Sequence, residues 1–217
     1  MFLFITSSAI SQHRTYLGAM GGTGLATSFI EHTLYNTNLT SLPIRSNHYA
    51  LMFRHFTQHR DYTVFNTGIQ TGLQYIQKGW KQSFQQIAPL TTRLNYLVLP
   101  MESVVYMGNE KNRLSLVMGM YAEYLLSYEL PQAPDMASIT YEDFFTFDPQ
   151  KDKRTGYGLS VGLGFQRDFS FGAILIEGKA TYSISNFISI DSVAGFTPDI
   201  SNLINGVISI GYLIPLH

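Results

Sequence analysis

The 217-residue chain suits a single domain and is 45% hydrophobic and 14% aromatic but only 13% charged, about half the charged share of a soluble globular domain. That balance is foreign to a soluble enzyme and natural to a protein solvated partly by lipid. A formal net charge of −1 argues against nucleic acid as a partner, since phosphate binding needs a basic surface, and the lack of cysteine excludes disulfides, thiolate metal sites and a cysteine nucleophile.

At the start of the chain, Phe2-Leu3-Phe4-Ile5 reads as the tail of a signal-peptide apolar region, and Ala9-Ile10-Ser11 has the small-x-small form of a cleavage site. Residues 1–11 are therefore expected to be a signal-peptide remnant and 12–217 the barrel domain. No later stretch reaches the ~18–20 consecutive apolar residues of a transmembrane helix. A membrane span would have to be a closed barrel, which also pairs every backbone polar group within lipid.

Period-two alternation then recurs along the chain. The first segments, 14–30 and 48–58, are Gly-rich and short respectively. Over 62–79, Phe65, Thr67, Ile69, Thr71, Leu73 and Tyr75 oppose Asn66, Gly68, Gln70, Gly72, Gln74 and Lys78. Segment 92–107 is apolar on both faces. Within 113–129, Leu114, Leu116, Met118, Met120, Ala122, Tyr124, Leu126 and Tyr128 face away from Arg113, Ser115, Val117, Gly119, Tyr121 and Glu123. The pattern repeats over 156–167, 173–189 and 203–215. Successive strand side chains point to opposite faces, so the reading is eight antiparallel strands, each with an apolar and a polar side.

The connections alternate in length. Glu31–Asn47 is long, His59–Asp61 short, Lys81–Thr91 intermediate, Gly108–Asn112 short, Leu130–Thr155 long, Asp168–Gly172 short and Ile190–Asn202 long. Short turns on one rim and long loops on the other characterise an up-and-down outer-membrane barrel whose termini lie in the periplasm. The expected location is the outer membrane of a Gram-negative cell.

Leu73-Gln74-Tyr75-Ile76-Gln77-Lys78-Gly79, followed by Leu94-Asn95-Tyr96-Leu97-Val98-Leu99-Pro100, resembles the PorT-like outer-membrane β-barrel family, whose members carry a Y-x-x-K-G strand end and then a Y-L-E-L-P strand. The closing Val207-Ile208-Ser209-Ile210-Gly211-Tyr212 resembles the final strand of such barrels, including the small eight-stranded OmpA and OmpX type. Val98 stands where the family has Glu, and Pro215-Leu216-His217 replaces a terminal aromatic. The resemblance implies export, insertion by the barrel-assembly machinery and, in one branch of the family, service to a secretion system.

An eight-stranded barrel is just wide enough for its own side chains to fill it. The inward set is expected to contain Arg54, Asn66, Gln70, Gln74, Lys78, Glu102, Arg113, Glu123, Glu177 and Lys179, pairing across the lumen because buried charges require partners. A conducting, porin-like channel is the alternative. Tyr, Trp80 and Phe near strand ends fit interfacial girdles. In the loop Pro131–Pro149, Tyr141, Phe144, Phe145 and Phe147 lie among Asp135, Glu142, Asp143 and Asp148 and form a candidate partner contact, unless they fold back onto the barrel mouth.

Catalytic and metal chemistry has weaker support. His55 and His59 share a strand face but lack a third ligand. His48 with Ser46, Ser41 and the acids Asp135, Glu142 and Asp143 could form a lipid-modifying set, yet no serine-elbow motif is present. Gly18, Gly21, Gly22 and Gly24 superficially resemble a phosphate loop, but no βαβ unit surrounds them; glycines in barrel strands relieve crowding or allow close approach. The chain is thus read as a non-enzymatic outer-membrane barrel without cofactor or metal. Its expected partners are outer-membrane lipid, the assembly machinery and an envelope protein, possession of which would make it an accessory of an envelope or secretion assembly. The rivals are a lipid-modifying enzyme and a soluble lipocalin-like carrier with an apolar interior.

Overall fold

In the computed structural model, residues 15–32, 37–39, 41–57, 64–84, 87–109, 111–130, 147–189 and 200–216 are described. Among them the backbone forms β1 (Thr15–His32), β2 (Thr37–Leu39), β3 (Ser41–Leu42), β4 (Ile44–Phe56), β5 (Asn66–Phe84), β6 (Ile87–Gly108), β7 (Asn112–Glu129), β8 (Thr155–Phe169), β9 (Gly172–Ser183) and β10 (Ile200–Leu216). The eight long strands pair antiparallel with their chain neighbours, and β10 returns to pair with β1 from Thr15↔Leu216 to Glu31↔Ile200. Closure leaves no free sheet edge along the wall, the condition for a sheet immersed in lipid.

Alternation decides inside from outside. Along β8 the burial pattern is strictly alternate, with Tyr157, Leu159, Val161, Leu163 and Phe165 exposed and Gly158, Ser160, Gly162, Gly164 and Gln166 enclosed. Leu51 is 64% exposed and Ile208 70%, whereas Lys78 and Arg54 are 0%. The apolar side chains form the outer wall and the charges the interior. A soluble lipocalin-like carrier requires the reverse, so that rival is overturned.

One rim carries Thr15, Leu216 and the tight turns, and is called the terminal rim below. There Asn109 accepts hydrogen bonds through Oδ1 from the N–H groups of Lys111 and Asn112 at 3.0 and 2.8 Å, an Asx turn that closes the β6–β7 hairpin. Ser170 and Phe171 join β8 to β9. The other rim carries the long connections and is called the loop rim.

Three expectations about elements need correction. The intermediate connection 81–91 is instead largely strand, because β5 and β6 run to Phe84 and from Ile87 and are 19 and 22 residues long. Among the described side chains of this hairpin, Gln82 and Leu90 are buried, so a polar and an apolar residue both face inward here and alternation of polarity no longer marks the strand. Segment 173–189 stops as a strand at Ser183, and Phe187 and Ile188 then turn into the barrel mouth; their apolar character serves the interior. Within 31–47, β2 pairs with the end of β1 and β3 with β5, and Pro43, which lacks an N–H, separates β3 from β4. The remaining strands differ from the expected bounds by a few residues.

Pro100 creates a second break within the wall. The β5–β6 ladder lapses between Thr71↔Met101 and Gln74↔Val98. Gly72 there has φ +154, and Thr71 Oγ1 donates to the Pro100 carbonyl at 2.7 Å.

Candidate functional site

The interior is layered. Next to the loop rim, Ile30, Trp80, Leu94, Tyr96, Leu125, Phe147, Phe187, Ile188 and Leu203 form an apolar cluster with other buried side chains. Near the terminal rim, Tyr16, Phe56, Tyr106, Val117 and Leu175 belong to a second cluster. Charged and amide side chains occupy the space between and alongside these clusters.

Three polar groups can be distinguished. Lys78 Nζ lies 2.6 Å from Glu123 Oε2 and 3.2 Å from the Tyr121 hydroxyl, while Ser183 donates to Glu123 Oε1 at 3.1 Å. In the middle, Lys179 bridges Glu102 at 2.9 Å and Glu177 at 3.1 Å. Gln70 Nε2 donates to Glu102 at 3.0 Å and Glu177 at 3.2 Å, and Ser160 donates to Glu102 at 2.8 Å. Toward the terminal rim, Arg113 meets Asp168 at 2.7 Å and the Tyr16 hydroxyl at 3.1 Å, and Tyr16 donates to Asp168 at 2.6 Å. Arg54 donates to Gln166 Oε1 at 3.2 Å and Ser115 Oγ at 2.9 Å, and its guanidinium lies 5.2 Å from the Phe56 ring centroid.

The four cations Arg54, Lys78, Arg113 and Lys179 share this space with the four carboxylates of Glu102, Glu123, Asp168 and Glu177; Lys78, Arg113 and Lys179 form ion pairs with them, and Arg54 is held by Gln166 and Ser115. A charge-balanced, hydrogen-bonded set is the form in which such groups tolerate removal from water. The glycines of β8 make the room for it. A Cβ on Gly158 would fall 2.5 Å from the Tyr121 hydroxyl, and one on Gly164 2.9 Å from Ser115 Oγ.

Gln74 is also buried, and Asn66 lies inward near the terminal rim. Sequence reasoning missed Asp168 and Tyr16, whereas Ser115, Tyr121, Ser160, Gln166 and Ser183 fall on the polar face by parity but were not named among the inward set. Parity marks Gln166 and Asp168 as facing the side of Ser160, but the hairpin reading had assigned Asp168 to a turn. Trp80, expected in an interfacial girdle, is 0% exposed and packs on Phe187 at 5.2 Å between ring centroids. Its neighbour Gly79 has φ +144, and Lys78, Gly79 and Trp80 are all buried, so simple parity fails at that point.

Of the candidate partner loop, Tyr141, Phe144 and Phe145 lie outside the described residues. Phe147 is buried, its ring 5.7 Å from that of Tyr128, so it belongs to the mouth cluster and is not presented to a partner. It is followed by a clasp in which Asp152 accepts from the N–H groups of Asp148 at 2.7 Å and Ser189 at 3.2 Å. Burial pushes the Asp152 carboxyl above its ordinary range, and those two N–H groups oppose the shift.

The candidate lipid-modifying set does not assemble among the described residues. Ser46 is enclosed, donating to the Gln77 carbonyl at 2.6 Å and accepting from Asn205 at 2.6 Å. His48 Nδ1 instead meets Ser209 Oγ at 2.7 Å, deep in the lumen. Ser41 pairs with Ser28 at 2.8 Å. Asp135, Glu142, Asp143 and His59 lie outside the described residues, and His55 pairs with Thr15 at 2.8 Å. No group of three or more metal-ligating side chains occurs among the described residues.

Residues 17–189 match a family described as "Outer membrane protein beta-barrel domain". No curated protein matches the chain. Among solved structures it is similar to Ail, the attachment invasion locus protein of Yersinia pestis, in complex with the heparin analogue sucrose octasulfate, at 13% identity over 91% of this chain and 99% of that one (TM-score 0.38). It is also similar to the outer membrane protein OprG from Pseudomonas aeruginosa, at 12% identity over 94% and 99% (TM-score 0.46). A third likeness is to the outer membrane protease OmpT from Escherichia coli, at 8% identity over 94% and 98% (TM-score 0.41). Identities this low concern fold and not substrate or partner. One correction follows: the sequence reading took the chain for a non-enzyme, and a protease is among the structures it resembles, so that exclusion is withdrawn.

Proposed function

The chain belongs to the outer membrane protein β-barrel domain family, and from that membership we propose that it is a plugged, non-conducting barrel that presents its loop rim to an envelope partner. The observation that carries this reading is the filled lumen. Two apolar clusters and a hydrogen-bonded network of charged side chains occupy it, with Trp80, Lys78 and Arg54 all 0% exposed. Eight strands rarely leave room for water beyond such side chains. The work of the protein then falls to its surface.

In this reading residues 1–11 are a signal-peptide remnant and 12–217 the exported barrel, inserted by the barrel-assembly machinery with both termini in the periplasm. Short turns gathered on the terminal rim support that orientation. The chain is a PorT-like member acting as an accessory of an envelope or secretion assembly, a placement supported by the Tyr75–Gly79 and Tyr96–Pro100 segments of β5 and β6. Its contact is made by the loop between β7 and β8, residues 131–146.

Two measurements test the proposal. In planar lipid bilayers the purified protein is expected to give no unitary currents; steady channel openings would overturn the plugged reading. Deleting residues 132–146 while keeping Phe147 should preserve faster unboiled gel mobility yet release an envelope protein that co-purifies with the intact chain. If no envelope protein accompanies the intact chain, or it stays after the deletion, the partner role is lost.

A further inference from the structure

We infer that the mouth of the barrel is a binding site for an apolar peptide segment, filled in this structure by the chain's own Phe147, Phe187 and Ile188, with Trp80 and Gln82 as its hydrogen-bond donors. The site lies at the loop rim but does not rest on the contact proposed for residues 131–146.

Strands from around the barrel build the cup. Ile30 on β1, Trp80 on β5, Leu94 and Tyr96 on β6, Leu125 on β7 and Leu203 on β10 belong to one buried cluster. Its floor is polar, since Lys78, two residues below Trp80 on β5, is engaged by Glu123 at 2.6 Å and the Tyr121 hydroxyl at 3.2 Å. What fills the cup is not wall. Phe187 and Ile188 follow the end of β9 at Ser183, and Phe147 precedes β8. The Phe187 ring lies 5.2 Å from that of Trp80. The two filling segments hold each other: the Lys153 N–H donates to the Phe187 carbonyl at 2.9 Å, and Asp152 accepts from the Ser189 N–H at 3.2 Å. Phe187 and Ile188 are further tied to Ser201 by N–H bonds of 3.2 and 3.0 Å. Among the described residues, no ladder pairing of β7–β10 includes 147–154 or 184–189. The filler can therefore leave the cup without opening the barrel wall.

This filler satisfies the apolar walls and leaves two donors without acceptors. Trp80 and Gln82 are 0% and 3% exposed, and neither Trp80 Nε1 nor Gln82 Nε2 has a hydrogen-bond partner among the described residues. A buried donor left unpaired costs free energy, which a carbonyl placed against it recovers. Both side chains are buried on the inward face of β5, two residues and so about 7 Å apart along the strand. An extended peptide repeats its same-side carbonyls at that same two-residue interval. The chemistry favours a neutral acceptor. The unpaired groups carry no charge, and Lys78 beneath them is already paired with Glu123. A carboxylate or phosphate would enter the cup without a counter-ion. Phe187 and Ile188 themselves show that aromatic and aliphatic peptide side chains fit the walls. A peptide with such side chains and two same-side carbonyls matches the filler's packing and adds the bonds the filler lacks.

Trp80 is the single tryptophan of the chain, so its emission reports on this cup. The test follows that emission while the full chain, purified in micelles, is titrated with the blocked dipeptide N-acetyl-Phe-Ile-amide. Wild type is compared with Ile188→Ala, Asp152→Ala and Asp152→Ala/Gln82→Leu, each first checked for heat-modifiable mobility. Asp152→Ala loosens the filler from outside the cup and serves if Ile188→Ala does not fold. Either loosened variant should bind the peptide ~10-fold or more tightly than wild type, because the filler competes less. Adding Gln82→Leu should weaken binding ~5-fold relative to Asp152→Ala, the loss of one neutral hydrogen bond. Equal affinity of wild type and the loosened variants would overturn the exchange of filler for ligand. Affinity untouched by Gln82→Leu would overturn the donor pair. Equal binding of methyl octanoate would assign the cup to an acyl ester and overturn the peptide. The titration uses the purified chain and a synthetic peptide, so its outcome is separate from whether an envelope protein co-purifies.

Discussion

Lys179→Met is expected to cost the barrel about 3–5 kcal/mol, the range for removing one partner of a buried ion pair, and to be the most damaging neutralisation of a single lumen charge. The reason is geometric. Lys179 Nζ is the one ammonium within reach of both Glu102 and Glu177 among the described residues, and all three side chains are at most 3% exposed. Its loss leaves two carboxylates held together by a neutral bridge, the Gln70 amide, which donates to both. Lys78→Met strands a single carboxylate, Glu123, which still accepts from Ser183, so its cost should be smaller. The measurement is the urea midpoint of each variant in micelles, followed by the shift between folded and unfolded gel bands. Replacing Lys179 by Met together with Glu102→Gln and Glu177→Gln should recover most of the loss, since a buried ion cluster and neutral groups of similar size are often near equal in stability. A loss under ~1 kcal/mol for Lys179→Met alone would mean that water reaches the carboxylates, and would weaken the plugged reading with it.

How much of this network can be read in the sequence follows from what a strand encodes locally. Parity along 173–185 separates Glu177 and Lys179 from Ile176 and Gly178, because lipid on one side and packed lumen on the other impose a two-residue period. Which carboxylate each cation meets is a different matter. Lys179 reaches Glu102 across 77 positions and Lys78 reaches Glu123 across 45, distances set by barrel closure and register that no local period contains. Parity also misleads wherever the chain leaves the membrane. The ends of β5 and β6 at Lys81–Phe84 and from Ile87 lose alternation of polarity although they are strand, and Phe187 and Ile188 keep an apolar signal although they are no longer strand. Trp80 shows the same limit from within: aromatic and near a strand end, it has the composition of a girdle residue but packs inward beside Gly79, where the backbone takes φ +144. Phe147 resembles an exposed anchor in sequence for the same reason, since an apolar residue in a polar loop does not state which side of the mouth it covers.

The glycine run of the first strand, which resembled a phosphate loop, acquires a mechanical role at the seam where the barrel closes, and it supports the second large prediction. Gly18, Gly22 and Gly24 all lie against the backbone of β10. A Cβ on Gly24 would collide with the Gly206 carbonyl oxygen and fall 2.6 Å from Val207 Cα. These are backbone atoms of the paired strand, which no rotamer change can move aside. Gly206 stands beside it in the same seam, opposite Leu25, but faces the lipid with nothing within 4 Å of its own Cβ position. The same substitution should therefore have opposite consequences at these neighbours. Gly24→Val is expected to destabilise the barrel by more than the ~1–3 kcal/mol typical of overpacking, because it strains the β1–β10 pairing that closes the sheet. Gly206→Val should be neutral or stabilising by up to ~1 kcal/mol, since a β-branched residue loses less conformational freedom in a strand than glycine does. Folding yield and urea midpoint in micelles, read by gel mobility, separate the two variants. Equal damage from both would show that the seam tolerates no side chain on either face, and that β1 approaches β10 for a reason other than the missing inward side chains. Damage confined to Gly24→Val would place the glycine run in barrel closure, so that a motif without catalytic or binding chemistry allows the first and last strands to meet.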